Sequence, residues 1–214
     1  MSAQRTTALS RELIAETALA MADRDGVESV SMRRLAAELG VTAMAIYRHF
    51  RDKDELIDAI VETAVAEAPM EIAEGTWRER LAATMHDVRE NLRRHPCGVE
   101  LRKLRPVLAP GALRPAEHAL TAMLEAGFTR EEAARAYRTL FTYTFGFAAF
   151  ASPPDLEAAR RFMRSSLAAL PEDEFPALSG SLAEGAAAVG GDEQFAFGLD
   201  LLLDGLERRL EDRR

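Results

Sequence analysis

Apolar residues recur along this chain every three or four positions, and this spacing predicts helices almost throughout. Within residues 1–68, four segments each begin at a Ser, Thr or Asp that can cap a helix. The segments are 10–25, 31–39, 42–50 and 52–68. Gly26 and Gly40 follow the first two and favour termination there. Because alternating strand patterns and hairpin turns such as Asn-Gly are absent from the sequence, it predicts an all-α fold.

Longer helical patterns follow a boundary near 69–75, where Pro69 and Gly75 flank a short acidic link. The predicted helices cover about 76–95, 115–126, 129–151, 155–169 and 192–210. We therefore expect a small N-terminal domain over 1–68 and a larger helical domain over 69–214.

Two segments of the larger domain predict less regular structure. Residues 96–115 are proline-rich, which predicts an irregular segment with a short turn at 99–104. Residues 171–191 are rich in Pro, Gly and Ala, which predicts a mobile loop or a weak helix.

Residues 31–50 combine two short predicted helices with a turn that contains Gly40. Small residues at Ala36 and Ala37 would let the helices approach closely. In a helix-turn-helix, the first helix braces the second, whose N-terminal residues enter the major groove of DNA. The spacing alone is equally compatible with a plain helical corner, so the charges of this segment must decide between the two.

Cations are concentrated in residues 31–53, where five basic residues stand against two acidic ones in a chain of net charge -8. The basic residues are Arg33, Arg34, Arg48, Arg51 and Lys53. Contact with phosphates requires such a local concentration, whereas the overall acidic charge argues against non-specific coating of nucleic acid. This contrast favours a helix-turn-helix that binds DNA.

The side chains of this segment predict how DNA would be contacted. Residues 42–45 form the tip of the second helix, and short apolar side chains there can touch thymine methyl groups, while Arg33 can pair with guanine. Tyr47, His49 and Lys53 are suited to hold phosphates. Tyr47 can alternatively be a core aromatic with its hydroxyl at the rim, and His49 a plain surface residue. The predicted DNA contacts are Ser31, Arg33, Thr42, Ala43, Met44, Ala45, Tyr47, His49 and Lys53.

Residues 26–60, GVESVSMRRLAAELGVTAMAIYRHFRDKDELIDAI, resemble the N-terminal domain of the TetR family of bacterial repressors. The glycine that ends the first helix, the LA..LGV core, the YRHF segment and the K.EL start of the fourth helix carry the resemblance, which extends over 10–68. It implies an all-helical dimer that represses transcription and is released by a small-molecule effector. A transcriptional activator is the alternative that the sequence leaves open.

Four further segments resemble the C-terminal domain of the tetracycline-repressor branch of that family. They are TW at 76–77, RP at 105–106, EAGFT at 125–129 and FAFGLDLLLDGLERRL at 195–210. In that branch, the helices that here contain 145–147 and 195–210 form a four-helix bundle with their copies in the other subunit.

A dimer can also be argued from the residues themselves. The apolar positions of the last predicted helix cover a wider arc than the ~100° stripe of a surface helix, and Gly198 and Gly205 would let a second helix approach. Deep burial in a monomeric core is the alternative. A two-fold homodimer would also supply two helix-turn-helix segments, one for each half of a palindromic double-stranded operator. The predicted dimer contacts are Phe145, Phe147, Phe197, Leu201, Leu202 and Leu206.

The resemblance implies an effector site among residues 80–150. At the positions where the related branch holds a magnesium–drug chelate, two histidines, a carboxylate, an amide and an aromatic are replaced, and an Arg-Pro pair is retained. Leu101 and Thr142 stand at the two histidine positions, and Phe150 stands at the carboxylate position. Thr84 replaces the amide and Val88 the aromatic, while Arg105 and Pro106 are the retained pair. The replacements remove metal ligands, so we predict an apolar or aromatic effector, with further contacts from Met123 and Tyr137. A tetracycline-like drug is the alternative.

The fourth predicted helix, 52–68, would connect the helix-turn-helix segments to the effector domain. A ligand that shifts its C-terminal end would tilt these segments, whose separation must match the ~34 Å recurrence of the major groove. The sequence thus suggests how a ligand could release DNA.

Other functions find little support in the sequence. His86, His95 and His118 are irregularly spaced and Cys97 is the only cysteine, so neither a metal, a cofactor nor an intramolecular disulfide is expected. No enzyme motif such as G-x-S-x-G or a P-loop is present, and a protein-interaction module would not need the cations of 31–53. The sequence has no apolar stretch of roughly 18 residues and no signal-peptide core, which predicts a cytoplasmic protein without a membrane partner.

Overall fold

A computed structural model describes residues 9–67, 74–104, 109–150 and 155–212 of the chain. Every regular element in these ranges is helical, which confirms the predicted all-α fold. The helices are α1 (Arg11–Asp25), α2 (Met32–Glu38), α3 (Ala43–Tyr47), α4 (Lys53–Ala66), α5 (Trp77–Arg94), α6 (Cys97–Leu104), α7 (Pro110–Ala126), α8 (Arg130–Phe150), α9 (Leu156–Ala168), α10 (Pro176–Gly180), α11 (Leu182–Ala187) and α12 (Asp192–Glu211). A 3-10 turn, Val27–Ser29, follows α1.

The residues predicted to cap the first four helices do so. Each accepts a hydrogen bond from the backbone N–H three residues later, over distances of 2.8 to 3.3 Å. The capping residues are Ser10, Ser31, Thr42 and Asp52. At the start of α8, Glu132 N donates to Thr129 Oγ1 at 3.3 Å, and Thr129 N donates to a Glu132 carboxylate oxygen at 3.0 Å. Between α2 and α3, Gly40 has a φ of +66°, a conformation that strains other residues.

The prediction of an irregular segment over 96–115 is wrong for its described part. There, α6 replaces the expected short turn, and α7 begins at Pro110 instead of Pro115. Pro110 is the first residue of its helix, where a missing N–H removes no intrahelical hydrogen bond. Pro115 lies inside α7, whose first turn is held from outside because Gly111 N donates to Glu62 Oε1 at 2.8 Å. One proline therefore begins this helix and another is accommodated within it, although the proline-rich sequence predicts that helix is interrupted here.

The segment 171–191, predicted as a mobile loop or a weak helix, contains two short helices, α10 and α11. Ala186 of α11 is fully buried. A Cβ at Gly185 would lie 3.9 Å from Leu167 of α9, so α11 packs beside that helix. The helical alternative therefore holds for this segment.

The chain divides into two compact units: Met1–Ala73 with His86–His118, and Glu74–Met85 with Ala119–Arg214. The first unit takes in the second half of α5, all of α6 and the first half of α7 in addition to the N-terminal helices. The domain boundary expected at residue 68 stays a prediction.

The core of the first unit is apolar and closely packed. Its largest enclosed side chains are at most 1% exposed. They come from helices α1, α2, α3, α4 and α6 and from the turn that follows α3. They are Ile14, Met21, Leu35, Ile46, Phe50, Leu56, Ile60 and Leu101. Ala36 is buried as well, whereas Ala37 is exposed, so only one of the two small residues of α2 serves helix packing.

In the second unit, α8 and α12 are joined by an aromatic cluster. Tyr143 stacks on Phe195 with ring centroids 5.4 Å apart, and its hydroxyl donates to the Phe195 carbonyl at 2.9 Å. Phe147 adds an edge contact to Phe195 at 5.3 Å. Gly198 permits this approach, because a Cβ there would clash with the Tyr143 hydroxyl oxygen. At Gly205, an added Cβ would meet no other described part of the chain within 4 Å.

We expect Gly198→Ala to lower the free energy of unfolding by about 1–3 kcal/mol, because the new methyl group would displace Tyr143 and its hydrogen bond. Gly180→Ala is the matched control, since it adds the same methyl group to an exposed position of α10 in the same unit without a clash. The control should leave the unfolding free energy unchanged or raise it by up to ~1 kcal/mol. Urea denaturation followed by circular dichroism at a fixed protein concentration measures both effects. Equal midpoints for the two variants would contradict this role of Gly198.

Candidate nucleic-acid interface

The five-residue helix α3 is held in place by the rest of the first unit. An isolated helix of this length is unstable in water, so its position depends on tertiary packing. Ile46 within α3 and Phe50 just after it are fully buried in the core of the first unit. Thr42 caps its start by accepting a hydrogen bond from Ala45 N at 3.3 Å. These contacts determine which side of α3 faces solvent.

The solvent-facing side of α3 carries Met44, Tyr47 and Arg48, which we call the reading strip. Spacings of three and four residues place these side chains on one face of the helix. Met44 is 69% exposed, Tyr47 is 49% exposed, and Arg48 at the C-cap is exposed as well. Tyr47 is therefore not the core aromatic that the sequence left open as an alternative.

Two of the five cations in residues 31–53 are neutralised within the first unit. Arg34 forms an ion pair with Asp25, and Arg51 Nε lies 3.2 Å from Glu55 Oε2. The other three are exposed and form no ion pair among the residues that the structure describes. They are Arg33, Arg48 and Lys53. The positive charge available to a phosphate near α3 is therefore carried by these three side chains.

Arg11 connects the start of α1 to the segment after α3. Its Nη1 donates to the His49 carbonyl at 2.5 Å and lies 3.0 Å from Glu55 Oε1. Its guanidinium also lies over the Phe50 ring, 4.2 Å from the ring centroid. Hydrogen bonds from the backbone and side chain of Arg51, and then from Arg11, lower the pKa of Glu55 from its usual value. The Glu55 carboxylate therefore stays charged and keeps both arginines in position.

The predicted DNA contacts all lie in the first unit, on α2, α3, the start of α4 and the residues that cap or follow these helices. Those that are exposed are Ser31, Arg33, Thr42, Met44, Tyr47 and Lys53, and those that are half-buried are Ala43, Ala45 and His49. Their contact with DNA stays a prediction. Sequence reasoning did not assign a contact to Arg48, although its spacing of four residues from Met44 carried the signal.

The predicted effector residues are distributed over both units. Val88 and Leu101 belong to the first unit, and the other described ones belong to the second. By exposure, they range from buried (Thr84, Val88, Leu101 and Met123) through half-buried (Tyr137) to exposed (Thr142 and Phe150). Arg105 and Pro106 lie outside the described residues. The effector site therefore stays a prediction.

Aromatic rings follow one another along α8 at four-residue intervals. Tyr137 and Phe141 have ring centroids 5.6 Å apart, and Phe141 and Phe145 are stacked at 4.3 Å. Phe141 is buried, while Tyr137 and Phe145 are half-buried. The three side chains therefore form a continuous aromatic run along one side of α8.

A groove of about 390 Å³ runs between α8 and α12 in the second unit. Its apolar lining residues are Phe128, Ala136, Leu140, Leu201, Leu202 and Leu206. Among the predicted dimer contacts, Phe197 is 60% and Leu201 55% exposed, while the other four are half-buried. The predicted monomeric alternative, deep burial of α12, therefore does not apply to this exposed part of the helix.

Two findings concern other kinds of site, and both apply to the described residues alone. None of the helices there has the length and apolar character needed to cross a membrane. No three His, Cys, Asp or Glu side chains are grouped there in a way that could hold a metal ion.

Cys97 is buried, and burial together with the neighbouring Asp23 raises the pKa of its thiol, so the thiol stays protonated and unreactive.

Comparison with known proteins gives two matching family descriptions and several relatives. Residues 14–60 match the bacterial regulatory proteins of the tetR family, and residues 68–210 match the tetracyclin repressor-like C-terminal domain. The transcriptional repressor DrrR1 of Streptomyces coeruleorubidus is 34% identical, over 96% of this chain and 80% of that protein.

Two solved structures add to these matches. The Streptomyces coelicolor protein ActR in complex with (S)-DNPA is 26% identical with a TM-score of 0.77, covering 94% of this chain and 98% of that chain. BioQ with its double-stranded DNA operator is 26% identical with a TM-score of 0.65, covering 92% of this chain and 98% of that chain. This chain therefore belongs to the TetR family of bacterial transcriptional regulators, a family of DNA-binding regulators and not of enzymes.

Proposed function

We propose that this protein is a ligand-responsive repressor that binds a palindromic operator as a homodimer and leaves it when a small molecule binds. The observation that carries the proposal is the reading strip, an exposed face of a firmly held short helix, together with nearby cations that form no ion pair with any described residue. The relative DrrR1 is a repressor, ActR has been solved with a small molecule and BioQ with its operator. The protein acts in the cytoplasm, because bacterial operator DNA lies there.

Contacts to DNA would be of two kinds. The tip of α3 enters the major groove, while Arg48 and Lys53 bind phosphates and fix the register of the helix on the duplex. Each phosphate contact releases counterions, so affinity falls as the salt concentration rises. The Tyr47 hydroxyl lies on the same face and is suited to a further phosphate contact.

We expect Arg48→Ala to weaken binding to a duplex from the upstream region of the protein's own gene by about tenfold, through loss of one charge-assisted phosphate contact from each subunit of the dimer. The slope of log Kd against log salt should fall by about 1.8, because each of the two lost contacts contributes about 0.9. Arg33→Ala and Tyr47→Ala should also weaken binding. Fluorescence anisotropy over a salt series measures all three.

Arg164→Ala is the matched control for this experiment, because Arg164 is an exposed arginine of α9 in the second unit. It should change neither the affinity nor the salt slope. If Arg48→Ala behaves like this control, Arg48 is not a phosphate contact.

The proposed dimer interface is the exposed apolar side of α12 together with the neighbouring groove between α8 and α12. Exposed Phe197 and Leu201 on α12 present apolar area that a second copy of the same surface can cover through a two-fold axis. Two copies would place two α3 helices on one duplex, as a palindromic operator requires.

Leu201→Glu should convert the dimer to a monomer, because a two-fold axis brings an uncompensated carboxylate into the apolar interface from both copies. Sedimentation velocity and operator binding measure the outcome, and both dimer mass and affinity should be lost. Leu178→Glu is the control, since Leu178 is a similarly exposed leucine, 48% against 55% for Leu201, outside this groove. A Leu201→Glu variant that remains dimeric would place the interface elsewhere.

The effector is proposed to be apolar or aromatic. The aromatic run Tyr137, Phe141 and Phe145 along α8 supports this chemistry, as does the replacement of histidine and carboxylate positions by Leu101, Thr142 and Phe150.

A thermal-shift titration tests the effector chemistry. Tetracycline with Mg²⁺ should move the melting temperature no more than Mg²⁺ alone, because a ligand stabilises only in proportion to its binding to the folded state. A strong stabilisation by tetracycline that requires Mg²⁺ would instead establish the tetracycline-like alternative.

Release would act through α4. The C-terminal end of α4 is held by the second half of α5, where Asn91 Nδ2 donates to the Ala64 carbonyl at 2.6 Å. Just after these helices, His95 Nε2 lies 3.3 Å from Glu67 Oε2. A displacement of this end would tilt α4, and with it the helix-turn-helix formed by α2 and α3. Such coupling is reciprocal, so operator DNA must weaken ligand binding by the same factor, and independent binding of the two would contradict it.

A further inference from the structure

The most exposed side chain of the reading strip is apolar. Met44 is 69% exposed, more than any other large apolar side chain that the structure describes in the first unit. A methionine is flexible and polarizable, so it adapts its shape to irregular apolar surfaces. Its position at the second residue of α3 places it at the end of the helix that leads into a major groove.

The immediate neighbours of Met44 within α3 offer no polar side chain to a base edge. Ala43 and Ala45 carry only methyl groups and are half-buried, and Ile46 is fully buried. The Thr42 hydroxyl oxygen accepts a hydrogen bond from Ala45 N, so it is engaged in capping the helix. Residues 43–45 therefore offer DNA an apolar surface whose only side-chain polar atom is the weakly accepting sulfur of Met44.

Among the four bases, only thymine presents a methyl group in the major groove, next to its O4 acceptor. An apolar side chain that gains by burial can recognise that methyl group and gains nothing comparable from the polar edges of guanine, adenine or cytosine. Arg48 and Tyr47, the other members of the reading strip, end in groups suited to phosphates instead.

We infer that Met44 is the residue that determines operator specificity at α3, and that it reads the 5-methyl group of a thymine in each half-site. This inference rests on the proposed function, because it assumes that α3 enters a major groove. It goes further by assigning one base, one atom group of that base and one side chain to the recognition step.

Uracil tests the inference, because it differs from thymine in the major groove by the methyl group alone. The full-length protein is first used to select a duplex from a random-sequence pool at low salt. Each symmetric pair of thymines in the selected duplex is then replaced by deoxyuridine, and affinities are measured by fluorescence anisotropy. One pair should weaken the wild type about fifteenfold, since burial of one methyl group contributes about fourfold and the dimer buries two.

Variants at position 44 assign the effect to the side chain. Met44→Ala should bind the thymine and uracil duplexes equally, and Met44→Leu, which keeps an apolar side chain, should retain discrimination. Lys53→Ala is the control, because loss of a phosphate contact should weaken both duplexes by the same factor. The melting temperatures of all variants report whether they are folded.

The possible outcomes separate this inference from the proposed function. If the wild type binds every uracil duplex within twofold of its thymine counterpart, or if Met44→Ala still discriminates, the inference is wrong while the protein remains a DNA-binding regulator. If no duplex is enriched from the pool, the proposed function fails, and the inference fails with it.

Discussion

The burial of Ile46 and Phe50 is the constraint on which the proposed activity depends. A helix of five residues has too few internal hydrogen bonds to be stable alone, so α3 exists because these two side chains are enclosed by the core of the first unit. Their burial also determines that Met44, Tyr47 and Arg48 face solvent. Arg11 adds to this constraint from α1, because it binds the His49 carbonyl and lies over the Phe50 ring.

A comparable constraint operates in the second unit, where two glycines of α12 have different roles. At Gly198 the helix approaches α8 so closely that Tyr143 occupies the space of a side chain. Seven residues later, Gly205 lines the groove between the same two helices, and nothing within the described chain fills the space beside it. One part of the α8–α12 pair is thus closely packed within the chain, and the other part is the surface that the proposed dimer would cover.

Much of the fold could be predicted from the sequence, because its determinants are local. Ser10, Thr42 and Asp52 cap helices by bonding N–H groups three residues away, and Gly40 provides a left-handed turn. The helices α6 and the start of α7 could not be predicted in this way. Contacts distant in sequence, such as Glu62 with the first turn of α7, stabilise helix in a region whose prolines suggest otherwise.

The sequence was sufficient to locate the candidate DNA-binding segment, but not to identify which of its side chains are free to contact DNA. Counting charges identified residues 31–53, but Arg34 and Arg51 are paired with Asp25 and Glu55, which lie outside that window. Arg48 gains importance only when its face of α3 is known. The effector site is harder to predict from the sequence than the DNA-binding segment. A ligand site depends on tertiary structure, which a resemblance at single positions does not provide.

The proposed function requires a dimer that presents two α3 helices to successive major grooves on one face of a duplex. Hydroxyl-radical footprinting of the full-length protein on the upstream region of its own gene detects this arrangement. We expect two protected patches related by a two-fold axis, with centres about 10–10.5 base pairs apart or a multiple of that distance. A single isolated patch, or uniform protection along the fragment, would contradict it.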